Sequence, residues 1–167
     1  MLKLSPKTMF DCYATTVKQL RTAGLTVVSV LAMSYVMNAS GQTVTMGVFL
    51  AGAGGFFVVL SPLLGWFGVA VTGSDTASNS LFGALQVSAT HATGINDVLL
   101  ASANTAGGVL GKMISPQNLA IGAAAVGLAG REGELFRKVL IATALLLPLV
   151  CILVVLPASP VLSWMVS

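Results

Sequence analysis

Long apolar segments separated by short polar ones make up most of this chain of 167 residues. Residues 139–156 carry no charge and one polar side chain, Thr143, which predicts a helix able to cross about 30 Å of hydrocarbon. Pro148 predicts a kink in that helix. Residues 22–38 predict a second crossing helix of about 17 residues, followed by a turn at residues 38–41. The pattern therefore indicates several membrane-spanning helices.

Residues 44–71 form an uncharged stretch that is interrupted at Ser61 and Pro62. A proline disfavours the helical conformation at the residue before it, so a break is expected there. Two layouts fit this stretch. In one, residues 44–71 form a single long span; in the other, residues 44–60 form an arm and a new half-helix starts at Pro62.

A polar segment, residues 72–79, lies between two apolar flanks at residues 63–71 and 81–87. Each flank of about 10 residues is too short to cross the bilayer at 1.5 Å per residue, which predicts a re-entrant hairpin with a polar tip. Residues 98–128 predict one crossing helix that is broken in its middle by glycines and Pro116. The predicted fold is all-α, with polytopic transmembrane helices, a re-entrant hairpin and a discontinuous helix.

The composition supports a membrane protein and excludes several other classes. Charged side chains make up 8% and hydrophobic ones 56%, whereas soluble domains contain roughly 25% charged residues. A soluble enzyme, a nucleic-acid binder and a disordered tail are therefore all poor interpretations. The basic residues gather near the start of the chain and around residues 131–138, and short Lys- and Arg-rich loops face the cytoplasm. We expect residues 1–21 to be a cytoplasmic lead-in and residues 22–167 to be the membrane domain.

The first candidate site lies in the predicted hairpin tip and contains Ser74, Asp75, Thr76, Ser78 and Asn79. Its hydroxyl, amide and carboxylate oxygens suit a cation or hydrogen bonds to a substrate. An acidic side chain inside a membrane domain is a candidate for carrying a proton. The alternative is an ordinary loop outside the membrane, with Ser78 or Asn79 capping the next helix.

The second candidate site lies where the 98–128 helix is predicted to break, at Asn104, Thr105, Lys112 and Gln117. A lysine in a stretch of small residues needs a counter-ion, and a substrate carboxylate would supply one. The alternatives are a salt bridge to Asp75 or Asp97, or a lysine in a loop. Gly107 and Gly111 predict a close backbone approach.

The sequence offers no catalytic set, metal site or cofactor site. One histidine and two isolated cysteines cannot supply a metal-ligand cluster, and we expect no enzyme activity.

Four motifs, in order along the chain, resemble the lactate permease family. They are residues 61–68 (SPLLGWFG), 72–79 (TGSDTASN), 103–108 (ANTAGG) and 111–117 (GKMISPQ). The resemblance implies a secondary transporter of the bacterial inner membrane that carries L-lactate, and often D-lactate and glycolate, together with a proton. It also implies inverted repeats and paired re-entrant hairpins, with the substrate near the midplane. The expected partners are L-lactate and related 2-hydroxy monocarboxylates, protons and the lipid bilayer, without nucleic acid.

Within this expectation, the polar side chains at the two breaks divide into two roles. The proton-coupling residue is Asp75. The substrate-binding residues are Ser74, Thr76, Asn79, Asn104, Thr105, Lys112 and Gln117.

The chain departs from the family in length, because it matches only the C-terminal third of a permease. We therefore expect a fragment, the product of a truncated gene, or a sequence that starts at an internal Met1. It would then need the missing N-terminal repeat or another protomer as a partner. Two other functions stay open: a membrane fragment or subunit that does not transport, and a sodium-coupled transporter of a small carboxylate.

Overall fold

The structure is a computed structural model, and it describes residues 5–128 and 130–165. Within these ranges the fold is all-α, as predicted. Two short 3₁₀ helices lie at Gly54–Phe56 and Ser163–Met165. The α-helices are α1 (Pro6–Ala39), α2 (Gln42–Ala51), α3 (Phe57–Thr72), α4 (Asp75–Thr93), α5 (Asp97–Ile114), α6 (Pro116–Ala125) and α7 (Glu132–Ala158).

Local sequence signals set the ends of the two central hairpins. Gly73 ends α3 and Gly94 ends α4, each with a left-handed φ of 71° that glycine adopts without strain. Ser74 and Asn96 then cap the next helices by accepting hydrogen bonds from the amides three residues later, at 3.3 and 3.1 Å. The predicted caps at Ser78 and Asn79 are wrong, because α4 already begins at Asp75.

Helices α3 and α5 cross at the centre of the bundle, with α4 and α7 packed beside them. A Cβ atom at Gly107 would overlap the backbone carbonyl oxygen of Pro62, and one at Gly111 would overlap that of Trp66. In the other direction, Gly65 of α3 lies directly against the carbonyl of Asn104. The predicted close backbone approach at Gly107 and Gly111 is therefore confirmed.

Apolar side chains fill the space around this crossing. Phe57, Leu85 and Leu100 bring α3, α4 and α5 together and are at most 1% exposed. A second cluster includes Val58 and Val154, and it attaches α7 to α3 and α5. In a bilayer such packing contributes through close van der Waals contact between the helices, because lipid tails are as apolar as these side chains.

Two helical stretches, Gly54–Thr72 and Glu132–Ala158, are long and apolar enough to cross a membrane. The predicted span at residues 139–156 lies inside the second of them. Its outward face carries large apolar side chains, including Ile141, Leu145 and Leu149, which are exposed on this chain. Such a face suits contact with lipid hydrocarbon.

One predicted break lies elsewhere than expected, and the break predicted at Pro116 is confirmed. The interruption in residues 44–71 falls at residues 52–56, and Pro62 lies inside α3, so neither predicted layout is right. Three glycines among residues 52–55 weaken the helix at the observed break, where Gly54 has a left-handed φ of 57°. Helix α5 runs without interruption through its glycines and ends only before Ser115 and Pro116.

The polar tip of the predicted hairpin is two residues long, Gly73 and Ser74, because the polar residues after them form the first turns of α4. The flanks are helices of 16 and 19 residues, so the length argument for a re-entrant hairpin is wrong. What the structure contains is a helical hairpin with a tight turn. The boundary expected between residues 21 and 22 falls within α1, and its cytoplasmic assignment stays a prediction.

A single added methyl group tests the crossing of α3 and α5. We expect Gly107→Ala to lower the free energy of unfolding in detergent by about 1–3 kcal/mol, because the new Cβ forces two backbones apart. Gly83→Ala is the matched control, since Gly83 lies inside α4 with open space at its Cβ position. The control should be neutral or stabilising by up to about 1 kcal/mol. Equal effects of the two substitutions would contradict the close crossing.

Candidate functional site

The first turns of α4 carry the carboxylate and the amide of the first predicted site. Asp75 and Asn79 lie four residues apart, so both project from one face of the helix. The Asn79 Nδ2 donates a hydrogen bond to the Asp75 Oδ2 at 3.3 Å. Both side chains are half-buried. This pair forms one wall of the candidate site.

The second wall comes from the middle of α5, where Asn104 and Thr105 lie against Asn79. The Asn104 Nδ2 donates to the Asn79 Oδ1 at 2.6 Å, and the Asn79 Nδ2 donates to the Thr105 Oγ1 at 3.1 Å. The structure therefore joins four of the predicted site residues, from two clusters separated in sequence, into one hydrogen-bonded group.

Gln86 belongs to the same group, although sequence analysis missed it. Its side chain is fully buried, and its Nε2 donates to the Asn104 Oδ1 at 3.3 Å and to the Ser61 carbonyl at 3.4 Å. The signal was a lone amide within the apolar residues 81–87. A buried amide costs free energy unless it finds a partner, so such a residue points to a polar neighbour.

Three buried oxygen atoms in or beside this group have no hydrogen-bond partner within the described part of the chain. They are the Oδ1 of Asp75, the Oγ of Ser78 and the Oε1 of Gln86. Asp75 Oδ1 lies where Gly108 leaves room on α5, and Ser78 Oγ lies against Gly68 on α3. The Asp75 carboxylate thus has one bound oxygen and one free oxygen, and the free one can take a proton or contact a cation.

The other predicted site residues lie outside this hydrogen-bonded group. Ser74 caps α4, and Thr76 is exposed beside it. Gln117, at the start of α6, packs its amide over Gly73, so the break between α5 and α6 touches the turn between α3 and α4. Lys112 is exposed.

Lys112 shares a face of α5 with Thr105, because seven residues make about two helical turns. The same face carries a shallow groove of about 550 Å³ that is lined by Val98, Ala101, Ser102, Thr105 and Ala106. The buried group therefore reaches an open surface at Thr105. The predicted alternative, a salt bridge from Lys112 to Asp75 or Asp97, does not occur within residues 5–128 and 130–165.

The break at Ser115 is closed by hydrogen bonds to one carbonyl. The backbone oxygen of Lys112 accepts from the Ser115 Oγ at 2.9 Å and from the Asn118 Nδ2 at 3.0 Å. These bonds satisfy the end of α5 where Pro116 supplies no N–H. Among the residues that the structure describes, no three His, Cys, Asp or Glu side chains come together as a metal site.

Comparison with known proteins gives matches along most of the chain. The L-lactate permease family matches residues 1–161. The L-lactate permease of Bacillus subtilis (strain 168) is 49% identical over 151 residues, which cover 90% of this chain and 27% of that protein. The L-lactate permease of Escherichia coli (strain K12) is 44% identical over 165 residues, covering 99% of this chain and 30% of the relative.

A further relative is the glycolate permease of Escherichia coli (strain K12), which is 50% identical over 125 residues, covering 75% of this chain and 22% of the relative. No solved structure matches the chain. The chain thus spans less than a third of the length of these relatives.

Removing the central amide tests the hydrogen-bonded group. We expect Asn104→Ala to lower the free energy of unfolding by about 1–3 kcal/mol, because Gln86 and Asn79 each lose a buried partner. Asn38→Ala is the control, since Asn38 is exposed near the end of α1, and it should change stability by at most about 0.5 kcal/mol. Thermal unfolding in a mild detergent measures both. An Asn104→Ala protein as stable as the control would show that the group does not form.

Proposed function

Because the chain belongs to the L-lactate permease family, we propose that it is part of a proton-coupled secondary transporter for L-lactate in the bacterial inner membrane. The substrates would include D-lactate and glycolate, and the relative named for glycolate supports the second of these. Since the chain spans less than a third of its relatives, it would supply part of the transport site.

The hydrogen-bonded group of Asp75, Asn79, Asn104 and Thr105 is the observation that supports this proposal. A membrane helix bundle seldom buries a carboxylate beside several amides unless these groups have a function. A 2-hydroxy monocarboxylate presents a carboxylate and a hydroxyl group, which need several hydrogen-bond donors at short range. The Thr105 hydroxyl and the Lys112 ammonium group would supply such donors, and the Asn79 amide would hold Thr105 in place.

In the proposed site, the substrate approaches the face of α5 that carries Thr105 and Lys112. Thr105 lines the groove on this face, and the flexible stem of Lys112 starts two turns away. Its ammonium group would neutralise the substrate carboxylate. Asn79 and Asn104 would hold the site in shape from behind, and Ser74, Thr76 and Gln117 would form its edge at the turn between α3 and α4.

The proposal assigns two elements of this fold to features found in other secondary transporters, a re-entrant hairpin and a discontinuous helix. The α3–α4 hairpin would be the re-entrant element, and α5 with α6 would be the discontinuous helix beside it. The contact between Gln117 and Gly73 brings these two elements together. Broken helices of this kind supply ion and substrate sites near the midplane in other transporters.

Asp75→Asn tests the proton-coupling role. The variant is made in a chimera, in which residues 1–165 of this chain replace the matching segment of the Escherichia coli permease in cells without lactate permeases. We expect accumulation of L-lactate driven by a pH gradient to be lost, because the amide cannot take up and release the proton, whereas lactate exchange continues. Asp97→Asn is the control, since Asp97 is exposed. Unchanged accumulation with Asp75→Asn would contradict the role.

The same chimera separates sodium coupling from proton coupling. The unpartnered oxygens of Asp75 and Ser78 would also suit a small cation. Accumulation that follows an imposed sodium gradient at constant pH would favour a sodium-coupled carboxylate transporter. A chimera that reaches the membrane and carries nothing would favour a structural segment that does not transport.

Lys112→Gln tests the carboxylate contact. We expect the half-saturation concentration for L-lactate to rise more than twofold, because the substrate loses its positively charged partner. Lys138→Gln is the matched control, since Lys138 is also exposed but lies on α7. A change within about twofold for Lys112→Gln, below roughly 0.5 kcal/mol, would exclude Lys112 from the site.

A further inference from the structure

The hydrogen bonds of the buried group run in one direction along α4 and α5. Gln86 Nε2 donates to Asn104 Oδ1 at 3.3 Å, and Asn104 Nδ2 donates to Asn79 Oδ1 at 2.6 Å. Asn79 Nδ2 then donates to Asp75 Oδ2 at 3.3 Å. Each asparagine accepts from the residue before it and donates to the residue after it, and we refer to these four side chains as the amide chain.

The two ends of the amide chain fix its direction. At one end Asp75 Oδ2 accepts from Asn79 Nδ2, so the N–H side of Asn79 faces Asp75. At the other end, the Gln86 N–H requires the oxygen side of Asn104. Turning over either asparagine would place two acceptors or two donors against each other in a buried position, at a cost of unpaired polar atoms.

Gln86 is held firmly enough to act as the start of the amide chain. It is fully buried, and the same Nε2 also donates to the carbonyl of Ser61 on α3 at 3.4 Å. Its own Oε1 accepts no hydrogen bond within the described residues, so only its donor side takes part. Gln86 lies eleven residues after Asp75 on α4, which is about 16 Å along the helix axis.

We propose that Gln86 is a positioning residue that orients the Asn79 amide through Asn104. By fixing Asn104, it turns the N–H side of Asn79 towards Asp75 and Thr105, the groups assigned above to proton coupling and substrate binding. The orientation itself follows from the hydrogen bonds. Its effect on transport rests on the proposed function.

A double substitution distinguishes the amide chain from local packing. Gln86→Met keeps an unbranched side chain of similar size but removes the donor, so Asn104 Oδ1 is left unpaired. Asn104 then loses the partner that fixes which side of its amide faces Asn79, and this weakens the hydrogen bond from Asn79 Nδ2 to Asp75 Oδ2. Asp75→Asn replaces the acceptor of that same bond, so the effects of the two substitutions overlap.

The first measurement is the thermal stability of the whole 167-residue chain in a mild detergent. We expect the loss of stability caused by Gln86→Met to be smaller when Asp75→Asn is also present. Residues this far apart normally give additive effects, so additive effects of the two substitutions would overturn the proposal. If Gln86→Met does not fold, Gln86→Leu takes its place in the same cycle with the same expected result. Failure of both variants to fold would overturn the proposal, because a positioning residue leaves the fold intact.

Ser88→Ala is the matched control for this cycle. Ser88 lies on the same helix, is half-buried, and donates its hydroxyl only to the Ala84 carbonyl at 2.8 Å. Its effect should add to that of Asp75→Asn. A Ser88→Ala cycle with the same non-additivity would show a general effect of the Asp75 substitution and would overturn the amide chain.

The second measurement is the half-saturation concentration for L-lactate in the chimera. We expect Gln86→Met to raise it severalfold with the maximal rate less affected, and Ser88→Ala to leave it unchanged. Non-additive stability with an unchanged half-saturation concentration would overturn the role of Asn79 in the substrate site, and so the proposed function, but not the amide chain.

Discussion

Helices α3 and α5 touch through their backbones, and the arrangement of the polar residues depends on this contact. Carbonyl groups of each helix lie against glycines of the other, at Gly65, Gly107 and Gly111. A Cβ atom at any of them would lie 1.8–2.1 Å from a backbone carbonyl oxygen of the other helix, so the helices would have to separate. At this short separation Ser61 Oγ donates to the Leu100 carbonyl at 2.9 Å across the crossing. The glycines thus set the distance between the elements that carry the site.

Hydrogen bonds between side chains set the rotation of each helix about its axis. A buried amide that loses its partner costs about 1–3 kcal/mol. Gln86, Asn79 and Asn104 find partners only when α4 and α5 present the observed faces to each other. An apolar interface tolerates a small rotation, because one aliphatic contact replaces another. The hydrogen-bonded group makes the observed rotation of α4 and α5 more favourable than slightly different rotations.

The sequence predicted the all-α class and the long apolar helix α7, because 18 residues without charge leave few alternatives in a chain of this composition. It also indicated four side chains of the hydrogen-bonded group, Asp75, Asn79, Asn104 and Thr105, as site residues. It failed at residues 72–79, whose polar side chains predicted the non-helical tip of a hairpin. Composition cannot distinguish a polar loop from the polar face of a buried helix. The distinction lay in Ser74 followed by Asp75, a cap and an acidic first turn that together favour a helix start.

The helix breaks show the same limit of local reasoning. Pro62 and Pro116 look alike in the sequence, yet α3 continues through the first and α5 ends before the second. Pro62 is buried, and its carbonyl lies against Gly107, so tertiary contacts hold the helix together around the missing hydrogen bond. At Pro116 the side chains of Ser115 and Asn118 instead satisfy the carbonyl of the helix that ends there. The continuation of α3 through Pro62 depends on residues that are distant in the sequence. The local pattern of residues therefore did not predict it.

Asp75 is the carboxylate of the proposed site, and it lies where this rigid packing meets the hydrogen-bonded group. Its Oδ2 already accepts from Asn79, so an arriving proton or cation would meet the unpartnered Oδ1 in the space left by Gly108. Helices α3 and α5 have little freedom to adjust, because their backbones are in contact. Helix α4 follows α3 after the two-residue turn of Gly73 and Ser74, and its buried side chains also pack against α3 and α5. A change at Asp75 would therefore act first on Asn79 and, through Asn104, on Gln86, because the hydrogen bonds connect these side chains while the glycine crossing stays in contact.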